Sequence, residues 1–283
     1  MTVFNTPEPI FATIEVASGR ISVNAGERID TVVEVRPTDE SHDADVEAAA
    51  QTRVDYSAGR LVIKGPKKQS WFGRAPSIEV DVDLPLESRV DARGAVEFRG
   101  HGRLGEAAIS TSGDIRLDQA GRLRLTTGAG DIAVDRAAGR AELTTASGEI
   151  RIGWIEGPAI VKAARGAVNL GTVTGEVRAR TASGDVIIEH AEEGVNAKTA
   201  HGDITIGEAR EGKVVVESAH GNLEIGVPEG TSAWLDVVTA SGLVRHELDA
   251  ASAPQPDDRT LQVRGRTASG DIVIRRPRPT SRA

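Results

Sequence analysis

The residues of this 283-residue chain that could do chemistry recur at a fixed interval. Asp114, Asp131, Glu149, Asp185, Asp203 and Asp271 each directly follow a glycine, with Ala167, Asn222 and Leu243 in the same place elsewhere. Carboxylates one repeat apart could hold a hard cation such as Ca²⁺. Aspartate after glycine is also ordinary turn chemistry, accepting from nearby backbone N–H groups. The Gly-Gly-x-Gly-x-Asp signature of calcium-binding solenoids is echoed only at Gly128-Ala129-Gly130-Asp131, one position out of frame, so the turn reading is preferred. Three residues before the same glycines stand Ser110, Thr127, Thr145, Thr181, Thr199, Ser218, Thr239 and Thr267. Their parity is that of inward positions, so their hydroxyls are expected to bond along a ladder or to a corner. His201 and His220 fall on successive repeats, with no third ligand in frame and no Gly-x-Ser-x-Gly elbow nearby. They read as solvated corner residues. No catalytic residue, metal site or cofactor site is assigned.

One segment breaks the pattern. Lys67, Lys68, Trp71, Phe72 and Arg74 put two rings into a basic loop of an acidic chain. Such a loop could contact an anionic or surface partner, or fold over an open end of the fold as a plug.

These residues must be positioned by short repeated elements. Glycines 94, 113, 130, 148, 166, 184, 202, 221, 242 and 270 mark a repeat of about 18 residues. A second glycine column, 121, 139, 157, 175, 194 and 212, lies half a period earlier. Apolar residues stand two and four places after the corner, as in Ile150 and Ile152 or Val186 and Ile188, with His246 an exception. Period-two alternation means strands with one buried face. Equivalent side chains in every repeat predict an all-β parallel β-solenoid (β-helix), two short strands per coil, with coils about 4.8 Å apart. Right-handed coiling is expected of parallel crossovers.

Composition agrees. The chain has 31 glycines and only eight aromatic residues, so its core must be aliphatic. With no cysteine, disulfides and thiolate catalysis are excluded. A net charge of −8 argues against nucleic-acid binding by the surface as a whole. The first residues show no basic start or apolar h-region, and no apolar run approaches ~18 residues, so a cytoplasmic location without a spanning segment is expected. Residues 1–90 read as divergent coils and a cap, with a short helix from Asp43 to Arg53 and Ser41 or Asp43 near its N-cap. Residues 91–274 read as regular repeats of the same domain, with an insertion from Leu248 to Arg259, and 275–283 as a disordered basic tail.

The recurring Thr-Ala-Ser-Gly-(Asp/Glu)-(Ile/Val)-x-Ile of residues 145–152, 181–188 and 267–274 resembles the bacterial adhesin-like family of β-strand-repeat proteins, a domain of unknown function. Gly59-Arg60-Leu61-Val62-Ile63 and Phe72-Gly73-Arg74 add to the likeness. The resemblance implies a β-helical fold and carries no catalytic residues. The expected function is a non-catalytic structural or adhesin-like scaffold for a protein or surface partner, with end-to-end self-association open to it. A glycan-binding or polysaccharide-cleaving β-helix is the alternative, and a calcium-dependent module a weaker one.

Overall fold

The computed structural model describes residues 1–66, 75–248 and 259–277. They form two compact units, 1–139 and 140–283, each a parallel β-solenoid.

In the second unit the 18-residue spacing becomes a vertical register. Ile150 pairs with Val168, Val168 with Val186, and Val186 with Ile204. All four are fully buried. Ile152, Leu170, Ile188 and Ile206 form a second file two residues further on. The facing sheet holds longer strands, Ala141–Ser147, Ala159–Arg165, Val177–Ser183, Val195–His201 and Gly212–His220, again parallel and in register. Its inward file runs through Ala141, Ala159, Val177, Val195 and Val214. Stacked aliphatics from two facing sheets fill the interior, and each pairing removes apolar surface from water.

The end of this unit departs from sequence order. Strand Arg259–Ser269 pairs with Gly212–His220 on one side and with Thr231–Ser241 on the other. Ile272–Arg275 likewise lies between Leu223–Gly226 and Val244–His246. The Gly242 coil is therefore outermost, and the later Gly270 coil is inserted beneath it. This explains the His246 exception. It pairs with buried Ile274 but has no described neighbour on its far side, and both it and Val244 are exposed. Arg275 ends the inserted coil beside Glu224, and Arg276 Nη1 donates to the Val227 and Pro228 carbonyls.

The first unit follows the same rule. Strand Phe11–Gly26 bends through a corner at Gly19, where φ is +131°. Its two halves pair with Arg60–Lys64 and Ile78–Pro85 on one side and with the long strand Arg89–Thr111 on the other. Antiparallel strands then cover the outer edge: Asp30–Pro37 on Ile78–Pro85, Thr2–Asn5 on Asp30–Pro37, and Arg53–Ser57 on Arg60–Lys64. Such cover leaves fewer unpaired backbone groups on an open edge. The helix spans Asp43–Gln51, and His42, not Ser41 or Asp43, is its N-cap, with no side-chain cap bond. The Ser41 hydroxyl is engaged by Asp39 Oδ1 at 2.6 Å. Asp43 and Asp45 in the first turn complement the helix dipole. Buried Asp45 also accepts from the Ser77 amide at 2.8 Å, tying the helix to the sheet.

Of the rings, Phe98 lies in the core, fully buried. Gly100 stands beside it, where a Cβ would lie 3.3 Å from the Phe98 ring and 2.4 Å from Leu117. Trp154 and Trp234 lie on the surface.

Candidate functional site

The repeated polar residues fall into those that build the corners and those that face outward. At the corners, Thr127 Oγ1 donates to the Gly113 carbonyl at 2.7 Å, Thr199 to Gly184 at 3.2 Å, Ser218 to Gly202 at 3.1 Å and Thr267 to Gly221 at 3.0 Å. Each hydroxyl caps the corner carbonyl of the adjoining coil. Ser110 is not part of this column. It is exposed, and Thr111 pairs with Thr127 and donates to the Val96 carbonyl instead. The Gly113 corner is one residue shorter than the Gly130 corner, which moves the hydroxyl position from three residues before the glycine to two.

The acidic column has the complementary task. Asp114 Oδ1 accepts the Asp131 amide at 3.0 Å, Asp185 the Asp203 amide at 2.8 Å, and Asp203 the Asn222 amide at 2.7 Å. Asn222 continues the series to Asp271 at 2.9 Å, and Asp271 accepts from Leu243 at 2.9 Å. An asparagine fits because only an acceptor oxygen is needed. This is turn chemistry extended from coil to coil. Among the described residues no group of three or more His, Cys, Asp or Glu side chains converges as a metal site would require. His201 and His220 stack with ring centroids 5.2 Å apart and planes 23° apart, on adjacent strands.

What faces outward from the longer-strand sheet is different. Lys162, Arg180 and Lys198 occupy one register position on three consecutive strands. The same file continues through Glu217 to Arg266. Lys198 Nζ lies 2.7 Å from Glu217, whereas Lys162, Arg180 and Arg266 are exposed, with no ion pair among the described residues. Arg178, two residues before Arg180, is held by both oxygens of Glu176 at 3.1 Å, and these bonds raise its pKa above the ordinary arginine value. A further register file at the corner runs Arg165, Ser183, His201 and His220. Between the two files lie Ala164, Ala182 and Ala200. A strip of methyl groups thus lies between the two files, flanked by long side chains at every position but Ser183.

The first unit arranges its outward charges otherwise. Arg20 lies between Glu79 and Glu97 on adjacent strands, 3.3 Å from each, and Glu97 also takes Arg99 at 2.7 Å and Arg116 at 3.3 Å. Partial burial pushes the Glu97 carboxyl up, but its arginine partners outweigh this and hold it below the usual carboxylate range.

The basic aromatic loop of Lys67, Lys68, Trp71, Phe72 and Arg74 lies outside the described residues. Lys162, Arg180 and Lys198 lie outside the glycine-linked columns, and their spacing of 18 residues is the signal in the sequence that marks them as one file. Among the described residues no helix is long and apolar enough to cross a membrane.

A family model described as Toastrack DUF4097 matches residues 12–276. No curated protein matches the chain. Among solved structures, the chain is similar to a Parabacteroides distasonis ATCC 8503 protein provisionally described as lipid-binding, at 13% identity and a TM-score of 0.44, covering 96% of this chain and 95% of that one. It is also similar to proteins provisionally described as adhesins. The one from Parabacteroides merdae ATCC 43184 shows 14% identity, a TM-score of 0.41 and coverage of 96% and 94%. The one from Bacteroides fragilis NCTC 9343 shows 11% identity, a TM-score of 0.34 and coverage of 96% and 95%.

Proposed function

This chain belongs to the Toastrack DUF4097 family, and from that premise we propose that it is a non-catalytic interaction scaffold, a β-solenoid that presents rows of side chains to a protein or surface partner. The observation that supports this reading is the division of labour among repeated residues. The polar groups nearest the backbone are committed to the corners, mostly to those of neighbouring coils, as in the Thr267–Gly221 and Asp203–Asn222 bonds, and in the case of Thr181 to the Ser183 carbonyl of its own strand. The inward files are aliphatic and close-packed. The residues left for other molecules stand in rows on flat sheets, one per coil, a geometry suited to holding an extended or repetitive surface. The loop carrying Trp71 and Phe72 is a second contact region in this proposal. A cytoplasmic location belongs to it as well, in keeping with a cysteine-free chain, and fractionation of the native host tests that part.

The test of the scaffold reading is a binding screen of the purified chain against glycan and protein arrays, followed by prolonged incubation with whatever binds. Binding without change in the ligand is the expected result. Cleavage or modification of a bound ligand would overturn the reading.

A further inference from the structure

We propose that the cationic row on the longer-strand sheet of the second unit binds a linear acidic polysaccharide lying across the strands, along the stacking direction of the coils. This rests on the scaffold reading and names its ligand class.

The first observation is electrostatic. The chain carries a net charge of −8, yet Lys162, Arg180 and Lys198 stand on adjacent strands in one file. Like charges directly opposite one another on neighbouring strands are destabilising. The first unit shows the arrangement that stability favours, with Arg20 placed between Glu79 and Glu97. The cation row therefore opposes folding slightly and invites a polyanion, which would neutralise it. Glu217 interrupts the file but is taken by Lys198 at 2.7 Å, and Arg266 lies beyond it.

The second observation is shape. Ala164, Ala182 and Ala200 are shorter than the cation row on one side and than Arg165, His201 and His220 on the other, so side-chain length alone makes a shallow trough between the two files, lower at Ser183. The trough advances by one strand spacing per coil, about 4.8 Å, close to the length of one sugar ring in an extended chain. A polymer bearing one carboxylate per ring would meet Lys162, Arg180 and Lys198 on three consecutive coils on one side, and Arg266 beyond Glu217. On the other, its hydroxyls would meet a hydroxyl and imidazoles.

The chemistry of the face disfavours other polyanions. Single-stranded nucleic acid is held by stacking its bases on aromatic rings. Strands Ala159–Arg165, Val177–Ser183 and Val195–His201 offer none beyond the His201 imidazole. Stable attachment to an anionic membrane adds apolar insertion to charge, and Ile160, half-buried, is the one large aliphatic side chain among the outward positions of these three strands.

The test is a titration of the full chain with polygalacturonate, with neutral dextran, a single-stranded DNA oligonucleotide and phosphatidylglycerol vesicles as comparators. Polygalacturonate is expected to bind, more weakly as salt rises because exposed charges are screened, and dextran is not. Lys162→Glu with Arg180→Glu should weaken binding by at least about tenfold, while Arg245→Glu on the other sheet should leave it unchanged. Lys162→Gln with Arg180→Gln supplies a milder pair should the charge reversal lower the melting temperature. The proposal is overturned if polygalacturonate does not bind, if a folded double variant binds like the parent, or if DNA or vesicles bind more tightly. Absence of polygalacturonate binding would leave the scaffold reading standing. Cleavage of bound polygalacturonate would instead overturn that reading.

Discussion

Thr239 Oγ1 donates to the carbonyl of Gly270 at 2.9 Å, although 31 residues separate the two. Thr267 does the same for Gly221 at 3.0 Å. Corner bonds join spatially adjacent coils, so this pair fixes the order of the last three. The coil that comes last in sequence lies between the two that precede it.

Because the chain has no cysteine, engineered disulfides report this order directly. Val238→Cys with Arg266→Cys joins register partners and should form a bond under mild oxidation. Glu217→Cys with Val238→Cys spans two coils, roughly 9.6 Å, and should stay reduced. The reverse pattern on non-reducing gels would restore sequence order and refute the insertion.

The corner glycines are needed for more than backbone conformation. At Gly184, with φ of +136°, a Cβ would stand 2.2 Å from the Gly166 carbonyl oxygen of the adjoining coil. At Gly59, with φ of +75°, nothing lies within 4 Å. Gly184→Ala is expected to cost on the order of 3 kcal/mol or more, and Gly59→Ala about 1 kcal/mol. Urea unfolding of both variants measures the difference, and equal costs would mean that the adjoining carbonyl is not the constraint.

Thr267→Val keeps the volume of a buried side chain and removes its bond to the Gly221 carbonyl. A loss of about 1 kcal/mol is expected. Unchanged stability in denaturant titration would show that the hydroxyl file contributes nothing to the corners.

Glu97 should make stability sensitive to acid. Its carboxyl is held below the usual range in the folded chain by Arg99 and Arg20. The folded value therefore lies below the unfolded one. Its contribution is fully present above the unfolded carboxylate range and is lost as pH falls through the lowered folded value. Glu97→Gln should be less stable than the parent at neutral pH and lose less on acidification. Parallel melting curves for the two proteins across that range would contradict the assignment.

The Trp71→Ser with Phe72→Ser variant distinguishes the two roles open to the basic loop. As a contact region, it should melt with the parent while losing a bound partner. A large fall in melting temperature would make the two rings part of the packed fold.

Much of the architecture was legible in the residues. Whether a side chain faces in or out depends on the parity of its place in a strand, a local property. Ile150, Val168, Val186 and Ile204 therefore declared their common file through spacing alone, as did the threonines that bond the corners. The role of the aspartates was also readable, since an acceptor one residue after a glycine suits the amide of an adjoining turn. Local competition was harder to read. Ser41 has the type of an N-cap, but its hydroxyl is taken by Asp39. Ser110 holds the nominal column position, but a corner one residue shorter gives the task to Thr111.

Adjacency is what only the tertiary structure decided. Every coil carries nearly the same pattern, so each is competent to stack on any other, and the pattern cannot say which does. The Gly270 coil could lie on that of Gly242 or of Gly221 with the same inward files satisfied, and the structure places it between them. The cation row lies on the same boundary. The repeat assigned Lys162, Arg180 and Lys198 to one phase, and strand pairing made them neighbours whose charges add up on one face. Sequence periodicity fixes orientation because it acts within a strand, whereas proximity between strands is set by which coils the chain brings together.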